Sequence, residues 1–211
     1  MKAMNVCVFG ASNNKIPSVY VDFAERFGAR LAEEGLGLVF GAGRTGLMGA
    51  AARGAYSKAG RIIGVIPKKL NVPGIYFEHC TERIETETMH ERKALMEDLS
   101  DAFVALSGGF GTLEELLEVI TLKQLNYHSK PIVIVNVNGY YDPLLSQFRR
   151  CTDEGFTDPL FLNLFTVASD VEEAIDALLH PRQLSMPDKI ESVLLSSRFG
   201  GEVPPDTFLG K

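Results

Sequence analysis

Two short stretches of the chain carry residues that are hard to explain by packing alone. The first is Ser107-Gly108-Gly109-Phe110-Gly111-Thr112-Leu113-Glu114-Glu115. Its glycines let several backbone N–H groups converge on one point, and Thr112 adds a hydroxyl at the start of a helix. A helix N-terminus carries partial positive charge, so the loop suits an anion, a phosphate above all. Glu115 follows Thr112 by one turn on the same helical face. A carboxylate beside a phosphate is unfavourable unless it acts on the ligand or meets a cation. Glu114 next to it reads as an outward residue that complements the helix dipole. The second stretch is Met89-His90-Glu91-Arg92-Lys93-Ala94-Leu95-Met96. Here Met89, Arg92 and Met96 share a face at helical spacing. An arginine in a methionine stripe either snorkels to water or aims its planar fork into a pocket. Lys93 reads by the same logic as a solvated residue.

Other chemistries find no support in the sequence. The four histidines, His79, His90, His128 and His180, form no metal-binding pattern, and no metal or cofactor is expected. There is no G-x-S-x-G elbow and no G-x-x-x-x-G-K-[ST] loop. Gly41-Ala42-Gly43-Arg44-Thr45-Gly46 has dinucleotide-fingerprint spacing, but the region about 20 residues on lacks the acid that would hold a ribose. A tight strand-to-helix turn is the simpler reading, with Leu47 and Met48 packing inward.

Positioning these loops requires a sheet. Apolar runs at Val6–Phe9, Leu36–Phe40, Ile62–Ile66, Phe103–Leu106, Ile132–Val135 and Phe165–Val167 predict strands. Between them lie helix candidates at Val19–Glu34, Leu47–Ala59, Glu87–Ser100, Thr112–Tyr127, Tyr141–Glu154 and Val171–Leu179. Phe23, Phe27 and Leu31 mark the buried face of the first. Runs apolar on both faces, alternating with helices, imply a parallel sheet flanked by helices, an α/β, Rossmann-like, doubly wound fold. Lys69–Arg83 is read as an irregular connection. Residues 1–180 are expected to form one domain. Residues 181–211 read as an appendage whose apolar run Ile190–Leu195 is suited to docking on a neighbouring surface.

The chain has 211 residues, 45% of them hydrophobic, enough for one well-buried core. Its net charge of −6 argues against a nucleic-acid polymer as partner but permits a small anion. No apolar run reaches membrane-spanning length, and Met1–Gly10 lacks a secretory pattern. Cys7, Cys80 and Cys151 show no disulfide or zinc spacing, and Cys7 reads as core, so a reducing, cytoplasmic setting is expected.

These blocks together resemble the LONELY GUY family, the cytokinin riboside 5′-monophosphate phosphoribohydrolases once labelled possible lysine decarboxylases. The family pattern P-G-G-x-G-T-x-x-E stands here at Ser107–Glu115, G-G-G-x-x-G-L-M-G at Gly41–Gly49, and M-H-x-R-K at Met89–Lys93. Gly64-Val65-Ile66-Pro67 and Asn138-Gly139-Tyr140-Tyr141 also match family stretches. The resemblance runs from about Val6 to Leu179. It implies a hydrolase that splits a nucleoside 5′-monophosphate, a cytokinin riboside monophosphate or AMP, into free base and ribose 5-phosphate. It implies Arg92 and Glu115 as the catalytic pair. Lys93, Gly109, Phe110, Gly111, Thr112, Leu113, Glu114 and Thr121 would line the substrate. It also implies a homodimer or larger oligomer, with contacts on the helices after Thr112 and around Met89.

The chain departs from these patterns where Ser107 replaces proline and Ala42 replaces the middle glycine. It also has Val72-Pro73-Gly74 where relatives often carry a glutamate. The methyl of Ala42 is expected to affect pocket shape. Two other readings remain: a non-catalytic nucleotide sensor or carrier of the same fold, and a general purine-nucleotide nucleosidase. A lysine decarboxylase is poorly supported, since no pyridoxal-binding lysine context is evident.

Overall fold

Every strand among the described residues finds a parallel neighbour. The computed structural model describes residues 4–182. Within them the strands are β1 (Asn5–Phe9), β2 (Gly37–Phe40), β3 (Ile62–Pro67), β4 (Glu82–Thr86), β5 (Ala102–Ala105), β6 (Ile132–Val135) and β7 (Thr166–Ala168). They form one seven-stranded sheet in the order β4-β3-β2-β1-β5-β6-β7, parallel throughout. The helices are α1 (Ser18–Glu33), α2 (Gly46–Ser57), α3 (Met89–Asp98), α4 (Phe110–Gln124), α5 (Asp142–Asp153) and α6 (Val171–Leu179). Side chains of β1, β2 and β5 alternate between two cores. Val6, Val8, Leu38 and Phe40 pack with α1, α2 and α6, while Cys7, Phe9, Val39 and Phe103 pack with α3, α4 and α5. This is the doubly wound α/β arrangement expected from the alternating apolar runs.

The chain order reverses between β1 and β5, and the carboxyl ends of these two strands open the crevice where such sheets bind ligands. The turn after β1 and the glycine loop after β5 meet there, with Ala11 N–H donating to the Ser107 carbonyl at 3.1 Å.

Three features differ from the sequence expectations. The connection at Lys69–Arg83 ends in a true strand, because Glu82 to Thr86 pair with Ile63 to Pro67 at the sheet edge. The helix bearing Arg92 begins at Met89 instead of Glu87. Thr88 caps it by accepting from Glu91 N–H, and the Glu91 carboxylate reaches back to accept from Glu87 N–H, one residue before the cap, at 2.8 Å. Helix α4 stops at Gln124, and Asn126 with φ of 61° turns the chain away before Tyr127. The appendage beyond Arg182, including Ile190–Leu195, lies outside the described residues. No described helix is long and apolar enough to cross a membrane.

Candidate active site

The G-x-G-x-x-G segment acts as a turn. Gly46 has φ of 63°, and a Cβ there would stand 2.2 Å from the Ala11 carbonyl oxygen. Leu47 is buried, as expected, while Met48 is only partly so. Ala42 holds φ of 58°, unusual for a residue with a side chain. Its methyl points into the core against Gly64, where a Cβ would lie 2.9 Å away. The substitution therefore changes packing beneath β3, and the expected effect on pocket shape is corrected to one on the core. The segment that follows Val72–Gly74 folds back on this turn, with Arg44 N–H donating to the Ile75 carbonyl and Phe77 N–H to the Ala42 carbonyl.

Gly41, the first glycine of the segment, has a separate task. A Cβ on it would fall 1.7 Å from Nη2 of Arg92. The Nη2 tip of the guanidinium thus abuts the backbone just past β2, a space only glycine leaves open. Arg92 Nε donates to the Val65 carbonyl within β3 at 3.2 Å. Its Nη1 faces Oε1 of Glu115 at 3.4 Å, and their side chains are only 8% and 12% exposed. Arg92 therefore does not snorkel. It is held by β2 and β3 and directed at α4.

Burial pushes the Glu115 carboxyl up to about 7, a rise that the Arg92 charge opposes and the neighbouring Glu114 charge assists. A carboxylate tuned this way exchanges a proton near neutral pH. Beneath it, burial first and the Glu115 charge second hold the Cys7 thiol well above its ordinary range. Cys7 is core, as expected.

The glycine loop starts α4 at Phe110, two residues earlier than the expected Thr112. Among the described residues, the N–H groups of Gly108, Gly109, Phe110, Gly111 and Thr112 meet no acceptor. No side chain caps this helix end. Space above Gly109 and Gly111 is open, with nothing within 4 Å of a Cβ placed on either. Gly108 is packed instead against Thr112, which is buried. Ser107 is also buried, and its carbonyl keeps the bond to Ala11, so the missing proline costs the loop no anchor. This geometry suits a phosphate.

The other residues named from the resemblance fall in different places. The Leu113 N–H is taken by the Gly109 carbonyl at 3.0 Å, and its side chain joins the α3–α5 core. The Phe110 ring is 93% exposed at the mouth of the loop. Lys93 is not solvated. It pairs with Glu114 and, at 2.8 Å, with Glu118, bracing α3 against α4. Glu114 keeps its side chain 57% exposed, close to the outward reading. Thr121 stands apart. Six residues after Glu115, the helix has turned by a net angle of roughly 240°. The Thr121 hydroxyl donates to Leu117, and the side chain lines an apolar cavity of about 240 Å³ with Ile120, Phe148 and Phe165. Among the described residues no group of three or more His, Cys, Asp or Glu could hold a metal ion.

Two contributors stood in the sequence only as part of a family stretch, with no role attached. Tyr140 and Tyr141 donate their hydroxyls to the Gly108 and Leu106 carbonyls at 2.6 and 2.7 Å. The available signal was a pair of tyrosines just past a turn at the carboxyl end of a buried strand.

The family model described as possible lysine decarboxylase matches residues 48–178. A probable cytokinin riboside 5′-monophosphate phosphoribohydrolase of Oryza sativa subsp. japonica is 43% identical over 172 residues, 82% of each chain. A cytokinin riboside 5′-monophosphate phosphoribohydrolase of Arabidopsis thaliana is 42% identical, covering 82% of this chain and 80% of its own. Among solved structures, a molybdenum cofactor binding protein from Rippkaea orientalis shares the fold with a TM-score of 0.66 at 23% identity, covering 92% of this chain and 99% of that one. The molybdenum cofactor carrier protein from Chlamydomonas reinhardtii aligns with a TM-score of 0.65 at 25% identity, covering 84% and 97%. The signature loop, the arginine helix and the extent of these matches agree, and the chain belongs to the LONELY GUY family of phosphoribohydrolases.

Proposed function

We propose that this protein hydrolyses the N-glycosidic bond of a nucleoside 5′-monophosphate, a cytokinin riboside monophosphate or AMP, to free base and ribose 5-phosphate. The observation that carries this reading is the buried Arg92–Glu115 pair beside an uncapped, glycine-rich helix start.

The 5′-phosphate takes the free N–H groups from Gly109 to Thr112. That contact does not change during reaction, and its binding energy orients the sugar. As the C1′–N bond breaks, its electron pair leaves with the base and positive charge grows on the ribose. The Glu115 carboxylate faces that charge and stabilises it in a site shielded from water. Water then adds to C1′ and gives its proton to Glu115, and that proton passes on to the departing base nitrogen, so one water is consumed and Glu115 returns to the ionised form. Arg92 keeps Glu115 in place and offsets the negative charge of phosphate or leaving base. Lys93 and Glu114 brace the two helices that carry the pair.

Incubation with AMP and with isopentenyladenosine monophosphate, followed by chromatography of the base, tests this. Base is expected from at least one of them, and much more slowly from the matching nucleosides. The likeness to molybdenum cofactor carriers suggests a second reading, a non-catalytic carrier. A carrier has no use for a buried carboxylate beside phosphate. Monophosphates that bind but release no base would favour that reading. Cleavage of AMP in preference to the cytokinin form would point to general purine salvage.

Gly41→Ala gives a more local test. The added methyl collides with the Arg92 guanidinium, which has no slack while bound to Val65. Base release is expected to fall at least about tenfold with the circular dichroism spectrum retained, since general acid–base arrangements contribute on this order or more. Undiminished release would contradict the placement of Arg92.

The chain is also read as a cytoplasmic homodimer. Its three free cysteines fit a reducing compartment. The apolar cavity beside Thr121, with Phe156 exposed at its edge, supports a docking face for a second copy. Thr121 is turned from the Glu115 of its own chain, so its role in lining substrate would be served across that interface. Charge substitution at Leu117, for example Leu117→Glu, is expected to shift the sedimentation coefficient toward the monomer. An unchanged assembly would place the interface elsewhere.

A further inference from the structure

Three consecutive carbonyls at the entry to the glycine loop are tied down. Tyr141 O–H donates to Leu106 at 2.7 Å, Ala11 N–H to Ser107 at 3.1 Å, and Tyr140 O–H to Gly108 at 2.6 Å. All peptide bonds described are trans, so a carbonyl and the N–H that follows it point in opposite directions. Holding the Gly108 carbonyl toward Tyr140 therefore aims the Gly109 N–H away from Tyr140. That N–H has no acceptor among the described residues, and the space at Gly109 is open. Glycine resists rotation of its flanking peptides weakly, so the Gly108–Gly109 unit needs an external tie to keep this direction.

The two tyrosines differ. Tyr141 is buried and its ring belongs to the α3–α5 core, and burial raises its phenol well above the ordinary value. Tyr140 is 41% exposed at the rim, packed edge-on against Tyr20 and Tyr141 at ring distances of 5.8 and 5.0 Å. Its hydroxyl makes a single hydrogen bond among the described residues, the one to Gly108. The turn that delivers both is specific: Asn138 and Gly139 adopt φ of 51° and 68°, and Tyr141 N–H donates to Asn136 Oδ1 at 2.7 Å.

We propose that Tyr140 is a positioning residue for the substrate's 5′-phosphate, setting the direction of the Gly109 N–H and with it the preference for a monophosphate over a nucleoside. The proposal rests on the hydrolase reading above for its substrate, and on the loop geometry alone for its anion.

Tyr140→Phe removes the donor and keeps the ring packing. KM for the cleaved monophosphate is expected to rise about tenfold with kcat within about twofold, since one hydrogen bond contributes up to about 1.4 kcal/mol. Competitive inhibition by inorganic phosphate should weaken by the same factor, and the kcat/KM ratio of monophosphate to nucleoside should drop about tenfold. A general structural role would lower both substrates together and leave that ratio unchanged, which would overturn the proposal. So would an unaltered KM. Calorimetric titration of AMP into wild type and Tyr140→Phe separates this proposal from the hydrolase reading. If the wild type cleaves no monophosphate, weaker AMP binding by Tyr140→Phe still supports the positioning role, and equal binding overturns it.

Discussion

Glu115→Gln is expected to lower base release by about 10²- to 10⁴-fold, the range for a positioned acid–base group, and to leave the protein at least as stable at pH 8. The two effects share one cause. Burial lifts the Glu115 carboxyl to about 7, against about 4.3 for a free glutamate. In wild type, kcat/KM should therefore fall about tenfold per pH unit below about 7 and level off above it, because the ionised form does the work. The stability sign follows from proton linkage. Between the unfolded and folded values the native state holds the extra proton, so this group's contribution is complete below the unfolded value and lost as pH rises through about 7. At pH 8 the stability contributed at low pH by this group, up to about 4 kcal/mol at 1.36 kcal/mol per unit, is lost. Glutamine avoids that loss and forgoes part of the ion pair with Arg92. Melting curves at pH 8 and pH 4 check the sign: the advantage of Glu115→Gln should appear at pH 8 and vanish at pH 4. Loss of activity with a lower melting point at pH 8 would indicate a structural role for this carboxylate.

Arg92→Ala is expected to have an effect of similar size by a different route. The guanidinium is the main opposing charge on a carboxyl that burial drives upward. Without it, the proton on Glu115 should bind more tightly and the acid limb of the pH profile should move to higher pH. At pH 7 the ionised fraction falls, and the charge that balances phosphate is lost as well. A reduction of at least about 100-fold follows if Arg92 also supplies electrostatic stabilisation of the transition state. Arg92→Lys is not expected to rescue. One ammonium cannot reach the space at Gly41 while bonding both the Val65 carbonyl and Glu115, as the three nitrogens of the planar fork do. A pH–rate profile of each variant is the check. Full activity in Arg92→Lys would reduce the role of Arg92 to a bare positive charge.

The sequence exposed most of this fold for a simple reason. Strands buried on both faces are short apolar runs, and β1, β2, β5 and β6 stand out as such. β4 did not, because Glu82-Arg83-Ile84-Glu85-Thr86 lies at the sheet edge with charged side chains outward, as edge strands often do. At the site, the glycine loop was legible as an anion cradle because the required N–H groups and helix start are consecutive in the chain. Arg92 was not legible from spacing, since snorkelling and burial give the same stripe. What decides between them is Gly41 and the Val65 carbonyl, both far away in sequence. Lys93 looked solvated for the same reason, its partners Glu114 and Glu118 lying on another helix. Thr121 shows the converse. The resemblance named it as a substrate contact, and helix phase turns it about 120° from Glu115 of its own chain, onto the apolar cavity face of α4. The tyrosine pair was visible as part of a family stretch but its role was not, because its purpose lies in carbonyls more than 30 residues away.

The central claim is that Glu115, held by Arg92, opens the C1′–N bond to water. Reaction of a nucleoside 5′-monophosphate in ¹⁸O-labelled water, with wild type and Glu115→Gln compared by mass spectrometry, tests it most directly. The expected result is ribose 5-phosphate, unlabelled free base and no label in inorganic phosphate from wild type, with both products formed about 10²- to 10⁴-fold more slowly by Glu115→Gln. Label in released inorganic phosphate, or base released by Glu115→Gln at the wild-type rate, would contradict it.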